Sequence, residues 1–470
     1  MGSQIEKPHG PGQSTKVQEA TIDKLDDPDW AWAAYKPDTQ RPWNLALAGH
    51  LYRRAAFGAN WEQLQQTLSN GPQQTIDKLL KPEADVAAFN RDFDEHETAA
   101  AGSATTLRAW WLRRIIETPH PLLEKMTLFW HSHFAVSAAQ IKEARLMQRY
   151  VQLLRSQALG SFGALLQGIS QDPAMLLWLG AEVNRKAKPN DSFAKPLLEV
   201  FTLGPGHYTD KDVQEVARAF TGWFVLRGQL RYIPREHDDG IKHILGRQGN
   251  FTGEDVVKLL LEQKATAQRL ICKLYSWLIS EVEQPDTKLI APLVEAFAKD
   301  YDLSKVVATM LRSNLFFSKA AYRQRIKCPV EFALGIIKGL EGLVSTTELG
   351  QALAHLGQNL YYPPTVKGWT GGRYWINDAT LVGRHNLSME LLQKEKPYGG
   401  KLNPWAIANK QGNTTPQSAA RFIVELFLQS GLDSDIMDTV LKSEDLGGNP
   451  ELALRRFTQA VVTLPEFNLA

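Results

Sequence analysis

Two histidines lie near the end of one apolar segment, PHPLLEKMTLFWHSHFAVS (119–137). Imidazole groups act as general acids and bases and bind metal ions, so His131 and His133 are the first candidate catalytic residues. If the segment is a helix, His133 continues an apolar stripe, and His131 lies roughly 200° away around the axis. We therefore expect the two imidazoles to have separate roles. The stripe before His133 consists of residues at i, i+4 and i+7: Leu122, Met126 and Phe129.

Four more candidate catalytic residues lie in later segments: Asp191, Glu199, His237 and Asp238. Imidazole and carboxylate groups together serve general acid–base catalysis, and they also bind divalent metals. The sequence has no compact motif such as HExxH, so a bound divalent metal and a purely acid–base site stay open as alternatives. A serine or cysteine nucleophile is disfavoured, because no G-x-S-x-G elbow occurs and Cys272 lies in an apolar helix.

Aromatic and polar residues near these candidates indicate where a substrate would bind. The aromatic loop, YYPPTVKGWTGGRYW (361–375), can hold a sugar or a peptide, or it can cap the core. The polar stretch NRKAKPND (184–191) is a loop, and loops of this kind often line sites. We predict five substrate-binding residues: Trp130, Asn190, Lys195, Trp369 and Tyr374.

Composition and charge describe an ordinary globular protein and exclude several classes of partner. Hydrophobic residues make up 43% of the 470 residues, and the formal net charge is only +2, so no net field attracts nucleic acid. No window approaches the roughly 18 apolar residues of a transmembrane helix. Two cysteines give neither a disulfide framework nor a CxxC metal site. As written, the chain is expected in the cytoplasm; a periplasmic or secreted location follows if Met1-Gly2-Ser3 replaced a leader.

Helical periods and capping signals dominate the chain, so we predict a mainly α fold. Thr209 with Asp212 resembles a capping box in front of an amphipathic segment, and Thr252 with Asp255 repeats the signal. Both positions are therefore predicted helix starts.

The period changes to alternation at about 223–246, where Asp239-Gly240 separates two β-capable runs. This pattern predicts one small β-hairpin. Residues 41–470 are expected to form a single large helical domain with long surface loops. Residues 1–40 are expected to form a disordered or extended N-terminal arm.

Proline at position 196 restricts the helix that carries Glu199. Since proline cannot donate a backbone hydrogen bond, this helix should begin at Pro196 or be kinked there. A working site also requires its groups within hydrogen-bond reach of one point. We therefore predict that His133, His237 and at least one candidate carboxylate line one concave pocket.

Six stretches, in order from about residue 45 to residue 470, carry a family resemblance. They are HLYRRAAFGAN, EKMTLFWHSHFAVS, DPAMLLWLG, LLEVFTLGPGHYTDKDVQEVARAFTGW, HDDGIKHILG and LPEFNLA. In them the chain resembles the bacterial family known as domain of unknown function 1800. The resemblance implies a mostly helical single-domain fold and supplies no established reaction. Relatives are frequently exported, which argues mildly against the cytoplasm.

The resemblance also assigns candidate site residues. The family's tryptophan and paired histidines match Trp130, His131 and His133, and its histidine–aspartate pair matches His237 and Asp238. These five positions are intact.

A second family segment is altered in this chain. Asn190 matches, whereas Asp191 shortens a glutamate and Lys195 replaces the planar fork of an arginine. Pro196 removes a second carboxylate, and Glu199 is the unchanged acid of the three. If the missing glutamate were a ligand or a proton carrier, the resemblance implies a weakened or inactive relative.

Two functional hypotheses follow. In the first, the protein is a hydrolase or lyase, acid–base or metal-assisted, that acts on a carbohydrate or envelope polymer. Its cleft would have the aromatic loop as its roof and His133 as its floor. In the second, it is a non-catalytic binding or assembly protein whose polar residues form a structural network. The intact histidines favour the first hypothesis, and the altered segment favours the second.

Overall fold

Helices account for most of the residues that the computed structural model describes, 23–429 and 449–470, which confirms the predicted mainly α fold. The first nine are α1 (Pro28–Trp32), α2 (Leu45–Ala55), α3 (Trp61–Leu80), α4 (Val86–Ala100), α5 (Ala104–Glu117), α6 (Pro121–His133), α7 (Ala144–Ser156), α8 (Phe162–Ser170) and α9 (Pro173–Trp178). The next are α10 (Ala194–Pro196), α11 (Asp210–Ala219), α12 (Gly253–Leu261), α13 (Lys264–Leu278), α14 (Thr287–Phe297), α15 (Leu303–Arg312), α16 (Pro329–Gly339) and α17 (Thr346–His355). The last are α18 (Asp378–Leu392), α19 (Pro404–Lys410), α20 (Pro416–Leu428), α21 (Pro450–Thr463) and α22 (Pro465–Asn468). A helix predicted at 434–441 lies outside the described residues.

Both predicted capping boxes are present. The Thr209 hydroxyl accepts a hydrogen bond from the Asp212 N–H at 3.1 Å, and the Asp212 carboxylate accepts from the Thr209 N–H at 2.9 Å. Thr252 and Asp255 repeat this reciprocal pair at 3.4 and 3.1 Å. Each pair satisfies two backbone donors that a helix start would leave unpaired, so α11 and α12 begin where the sequence indicates.

Two small antiparallel hairpins replace the single predicted one. Each is a separate two-stranded sheet within the described residues. The strands are β1 (Trp223–Leu226) paired with β2 (Gln229–Tyr232), and β3 (Lys242–Ile244) paired with β4 (Arg247–Gly249).

The hairpin turns lie at Arg227-Gly228 and Leu245-Gly246, and all four residues have positive φ. Positive φ at both central residues is what a type I′ hairpin turn requires. The predicted Asp-Gly turn (239–240) instead lies between the hairpins. The β-forming region was predicted correctly, but its turns were not, because an arginine and a leucine occupy turn positions where asparagine or aspartate is the usual signal.

The described part of the N-terminal arm packs against α14 and α15. The Trp32 indole donates to the Leu289 carbonyl at 2.6 Å, and Ala34 forms a β-bridge with Ser313. Tyr35 is completely buried. From residue 23 onward the arm is therefore fixed by aromatic packing, whereas the predicted disordered tail at 1–20 lies outside the described residues.

A short π-helical turn, Leu197–Phe201, follows α10 directly. Pro196 ends α10 with helical backbone angles, φ −58° and ψ −37°. In this first turn the missing N–H of proline breaks no hydrogen bond. The helical segment thus begins two residues before the predicted start, and its geometry changes immediately after Pro196. π-helical turns often occur at functional sites.

Helix α6 lies in the core and is fixed there by a buried carboxylate. Glu124 is fully buried and accepts from the Arg114 and Arg155 side chains at 2.7 and 2.8 Å. The Trp111 indole donates to the same carboxylate at 2.8 Å. These contacts bind α6 to α5 and α7 and hold its C-terminal turn in position. Among the described helices, none is both long enough and apolar enough to cross a membrane.

Candidate functional site: a cationic cleft at the end of α6

A cleft with a volume of about 1060 Å³ opens at the C-terminal end of α6. Its walls come from α6, α13, the segment 323–328 and the aromatic loop. Of the residues predicted from the sequence, His133, Trp369 and Tyr374 line it. Small-molecule sites are typically about 300–1,000 Å³, so this cleft has room for a short oligomeric ligand.

His133 forms two hydrogen bonds at the inner wall of the cleft. Its Nε2 lies 3.2 Å from the Phe201 carbonyl, which can only accept. The proton of the neutral ring therefore lies on Nε2, and Nδ1 accepts a hydrogen bond from the Lys273 amine at 2.8 Å. Burial, and then the charge of Lys273, hold the pKa of His133 well below its usual value. His133 is thus a neutral acceptor at physiological pH.

Lys273 is a lysine of the cleft lining whose surroundings disfavour its charged form. Burial, and then the neighbouring guanidinium of Arg269, lower its pKa from 10.5 to about 7. The amine is therefore partly neutral near neutral pH and has a free lone pair. A neutral amine in a cleft is a candidate general base.

Positive charge dominates the lining. The described residues that line the cleft include six basic side chains and a single carboxylate, Glu281. Walls that carry one sign of charge attract ligands of the opposite sign. The chain as a whole is nearly neutral, but the surface of this cleft is suited to anions. The six basic residues are Arg269, Lys273, Arg323, Arg325, Lys367 and Arg373.

Glu281 is held in the wall by the backbone. Its carboxylate accepts from the Ile326 N–H at 2.5 Å. Burial raises its pKa above the usual value, although Arg325 opposes this shift. Glu281 is therefore the one carboxylate in the described lining that offsets the surrounding positive charge.

Trp277 contributes to the cleft wall an aromatic ring and an indole N–H that is an unpaired hydrogen-bond donor. The Arg325 guanidinium lies 4.6 Å from the centre of its ring, a cation–π arrangement. Its buried indole N–H has no hydrogen-bond partner among the described residues. Buried donors are normally paired, so this N–H is available to a bound ligand or water.

The aromatic loop approaches α6 closely at Gly368. A Cβ atom at this position would lie 2.1 Å from the Ser132 carbonyl oxygen, and φ is +75°. Only glycine fits both conditions. This contact brings Trp369 and the 75% exposed Tyr374 to the edge of the cleft.

The floor of the cleft rests on a buried ion cluster. Glu331 is paired with Lys125 and Arg325, and it accepts from the Cys328 N–H at 2.8 Å. Burial favours its neutral form, but the two cations outweigh this and hold the pKa of Glu331 far below its usual value. Glu331 therefore fixes Arg325 in place and also binds the buried amine on α6.

His131 and Trp130 belong to the core and not to the cleft lining. His131 is fully buried, and its Nε2 accepts from the Tyr361 N–H at 3.1 Å. Burial lowers its pKa to about 3. Trp130 is also fully buried and donates to the Ala158 carbonyl at 3.0 Å. His131 and His133 thus have separate environments, although the ring of His131 lies 5.5 Å from that of Trp369.

His237 and Asp238 lie between the two hairpins and do not line the cleft with His133. His237 is buried, with Nδ1 2.8 Å from the Thr221 carbonyl. Asp238 accepts from the Arg218 guanidinium at 2.8 and 3.3 Å, and its pKa is lowered to about 2, chiefly by Arg218. This cleft therefore does not unite the groups that were predicted to converge, because the turn that carries them faces α11.

Asn190 organises the polar loop that precedes α10. Its backbone N–H donates to the Asn184 side chain at 2.8 Å, and its amide donates to the Gly180 carbonyl at 2.7 Å. Asp191 and Lys195 are exposed. None of these three predicted residues lines the cleft.

Glu199 lies at the border of the cleft, where it pairs with Lys367 of the lining. Its carboxylate lies 3.4 Å from the Lys367 amine and accepts from the Tyr208 hydroxyl at 3.0 Å. The Tyr208 hydrogen bond is the main cause that lowers the pKa of Glu199. Glu199 thus connects the π-helical turn to the aromatic loop.

Sequence reasoning missed Lys273 and its neighbours on α13. Arg269, Lys273 and Trp277 are spaced i, i+4 and i+8, so they share one face of the helix. A cationic and aromatic stripe in an otherwise apolar helix was the available signal.

The described residues of the cleft do not provide a set of ligands for a divalent metal ion. Among the described residues, no group of three or more His, Cys, Asp and Glu side chains is placed to hold a metal ion. Next to His133 the charged side chains are Lys273 and Arg269, which would repel a cation. The donor set of this cleft suits an anion.

The fold and the cleft define a mainly helical protein with an anion-attracting site. The chain belongs to the family described as protein of unknown function (DUF1800), whose model matches residues 50–469. The resemblance seen in the sequence is thereby confirmed. Neither the curated proteins nor the solved structures contain a significant match to this chain.

Proposed function

We propose that the cleft binds an acidic carbohydrate polymer and that the protein is an acid–base enzyme that acts on it. One observation carries this proposal. Lys273 lies 2.8 Å from His133 in a cleft whose described lining includes six basic residues, Lys273 among them, and one carboxylate. This combination provides a base and a binding surface for negative charge in the same place.

The cations favour an acidic polymer over a neutral one. Guanidinium groups bind carboxylates through paired, charge-assisted hydrogen bonds. Arg373 is exposed and Arg269 is partly exposed, so both can be reached from solvent. Trp369 and Tyr374 offer ring faces at the edge of the cleft, which suit the apolar faces of sugar rings. Uronate residues present both chemical features.

The Lys273–His133 pair favours an enzyme over a binding protein. Retention of an anion requires cations, but it does not require an amine whose pKa is lowered to about 7. Burial of an amine disfavours its charged form and so weakens its contribution to binding. Perturbed groups of this kind cluster at catalytic sites.

Binding is tested by calorimetric titration of the whole protein with three oligosaccharides of equal length. One is a uronate oligomer, one a sulfated neutral oligomer and one an unsubstituted neutral oligomer. We expect the uronate oligomer to bind with an affinity that falls as salt increases, because cations dominate the lining. Equal binding of the neutral oligomer would contradict the proposal, and preference for the sulfated oligomer would reassign the ligand.

A matched pair of variants locates the binding site. Arg269→Gln removes a cation from the lining and should weaken uronate binding by about 10–100-fold, the value of a charge-assisted hydrogen bond. Lys299→Gln removes an exposed charge outside the lining and should leave the affinity within about twofold. Equal effects would place the binding site elsewhere.

A further inference from the structure

Resting on the proposed function, we propose that the reaction is a β-elimination. In this reaction Lys273 removes the proton at C5 of a uronate ring, and the bond from C4 to the glycosidic oxygen breaks without the addition of water. The protein is then a lyase and not a hydrolase.

The number of carboxylates in the cleft separates these two reactions. Glycoside hydrolysis ordinarily uses two carboxyl groups on either side of the scissile bond, one as acid and one as base or nucleophile. The described lining contains Glu281 alone, and its carboxylate already accepts from the Ile326 N–H. Hydrolysis therefore lacks its second carboxylate, whereas elimination needs none.

Elimination needs an unprotonated base, and Lys273 has the right surroundings for one. The neutral amine donates a hydrogen bond to Nδ1 of His133, which leaves its lone pair free. After Lys273 takes a proton, its ammonium group still donates a hydrogen bond to Nδ1 of His133. His133 cannot compete for that proton, because its own pKa is lower still. His133 is therefore a positioning residue that orients the base.

Elimination also requires the substrate carboxylate to be neutralised. A proton next to a carboxylate becomes acidic only if the charge that develops on the carboxylate oxygens is stabilised. Arg269 lies one helical turn before Lys273 on α13 and shares its face. It can bind the carboxylate while Lys273 reaches the adjacent C5 proton. Base and cation therefore project from the same face of one helix, which places them side by side at the cleft wall.

The atoms and electrons balance without a co-reactant. Lys273 gains the C5 proton, and the electrons of that C–H bond form the double bond between C4 and C5. The electrons of the broken C4–O bond leave with the glycosidic oxygen, which takes a proton from solvent water. The resulting hydroxide removes the extra proton from Lys273. The products are an unsaturated uronate end and a free hydroxyl end, with no net consumption of water.

Product analysis in water enriched with oxygen-18 tests this inference. The whole protein is incubated with a panel of unsulfated polyuronates, and the products are analysed by ultraviolet absorbance and mass spectrometry. We expect an unsaturated end group that contains no oxygen-18. Saturated products that contain oxygen-18 would establish hydrolysis, which overturns the elimination but leaves the proposed acid–base enzyme intact. Binding without cleavage would overturn both the elimination and the proposed enzyme, in favour of a binding protein. Absence of binding would also overturn the proposed ligand class, an acidic carbohydrate polymer.

Variants test whether Lys273 is the base. Lys273→Gln should lower kcat by about 10²–10⁴-fold, the usual contribution of a general base. Lys273→Arg keeps the charge but cannot accept a proton, so it should not restore kcat. In the parent protein, kcat/KM should rise as pH increases through about 7, because Lys273 loses its proton there. Thermal unfolding of each variant verifies folding, and a folded Lys273→Gln variant with unchanged kcat would exclude Lys273 as the base.

Discussion

Lys273 in the cleft and Asp238 beside the hairpins both have lowered pKa values, but the two shifts have opposite consequences for stability. The charged form of Asp238 is favoured, because Arg218 donates two hydrogen bonds to it. The charged form of Lys273 is disfavoured, because burial and Arg269 oppose it. Asp238 therefore contributes stability at neutral pH, and Lys273 lowers it.

This difference separates a structural polar cluster from a functional one. Groups that satisfy one another, as Asp238 and Arg218 do, are explained by the fold alone. A group whose surroundings penalise its charge needs another reason to be present, and catalysis is a common one. Under the proposed function, His133 and Lys273 are the functional pair, whereas Asp238, held by Arg218, supports the turn between the hairpins.

The largest effect on stability is expected at the floor of the cleft. Glu331→Gln would leave Lys125 and Arg325 buried without their carboxylate, so the free energy of unfolding should fall by about 3–5 kcal/mol. Denaturant unfolding at pH 7 measures this change. The exposed pair of Asp300 with Lys305 is the control, and Asp300→Asn should change stability by less than about 1 kcal/mol. Similar losses for both variants would show that burial of the charges does not matter.

Lys273→Met is expected to raise the free energy of unfolding, whereas Glu331→Gln lowers it. The pKa of Lys273 is about 7 in the folded protein and 10.5 in an unfolded chain. Between these values the unfolded chain binds more protons, so the stability of the parent rises with pH from about 7 to about 10.5. The variant lacks this penalty and should be more stable than the parent by about 1–3 kcal/mol at pH 6.

Denaturant unfolding of Lys273→Met and the parent across pH 6–10 measures this difference, which should shrink as pH rises. Lys299→Met, at an exposed position, should show no such trend. A Lys273→Met variant that is less stable than the parent at pH 6 would make the Lys273–His133 pair a structural contact and remove the contrast with Asp238.

A smaller loss is expected for Asp238→Asn. Removal of the charge weakens the contact with Arg218 and should reduce the free energy of unfolding by about 1–2 kcal/mol at pH 7. The pKa of Asp238 is 3.8 in an unfolded chain and about 2 in the folded protein, so its contribution to stability is complete above pH 3.8 and is lost as pH falls through about 2. The two proteins should therefore converge in stability at low pH, and uronate binding should not change. A large loss of binding would return Asp238 to the functional site.

The smallest effect is expected for Glu199→Gln. Its ion pair with Lys367 is 3.4 Å long, and the Lys367 side chain is 71% exposed. Exposed pairs contribute about 0–1 kcal/mol, so the unfolding free energy should change by less than that. Release of Lys367 should leave uronate affinity equal or slightly higher. A loss of affinity above about tenfold would place Glu199 within the binding surface.

Local sequence patterns predicted the features that depend on neighbouring residues. The apolar stripe placed His133 on the inner face of α6, and the capping pairs at Thr209 and Thr252 located two helix starts. Pro196 was read correctly as restricting its helix, but the change to π-helical geometry was not foreseen, since it depends on contacts beyond the helix.

The site itself depends on contacts between distant segments. Lys273 is 140 positions from His133, and no local period connects them. The hairpin turn at 239–240 was mispredicted, because its Asp-Gly signal is stronger than the Arg-Gly and Leu-Gly turns that the chain uses. The cationic lining was also hidden, since a net charge of +2 gives no hint of local clustering.

Mapping a bound uronate oligosaccharide by the indole N–H resonances of tryptophan tests the central claim most directly. Trp277 and Trp369 line the cleft, whereas Trp130 is in the core and Trp223 lies in β1. Titration of the ¹⁵N-labelled protein should shift the resonances of Trp277 and Trp369 in a saturable way and leave those of Trp130 and Trp223 unchanged. Saturable shifts at Trp223, without shifts at Trp277 and Trp369, would place the ligand beside the hairpins and contradict the assignment of the cleft as the functional site.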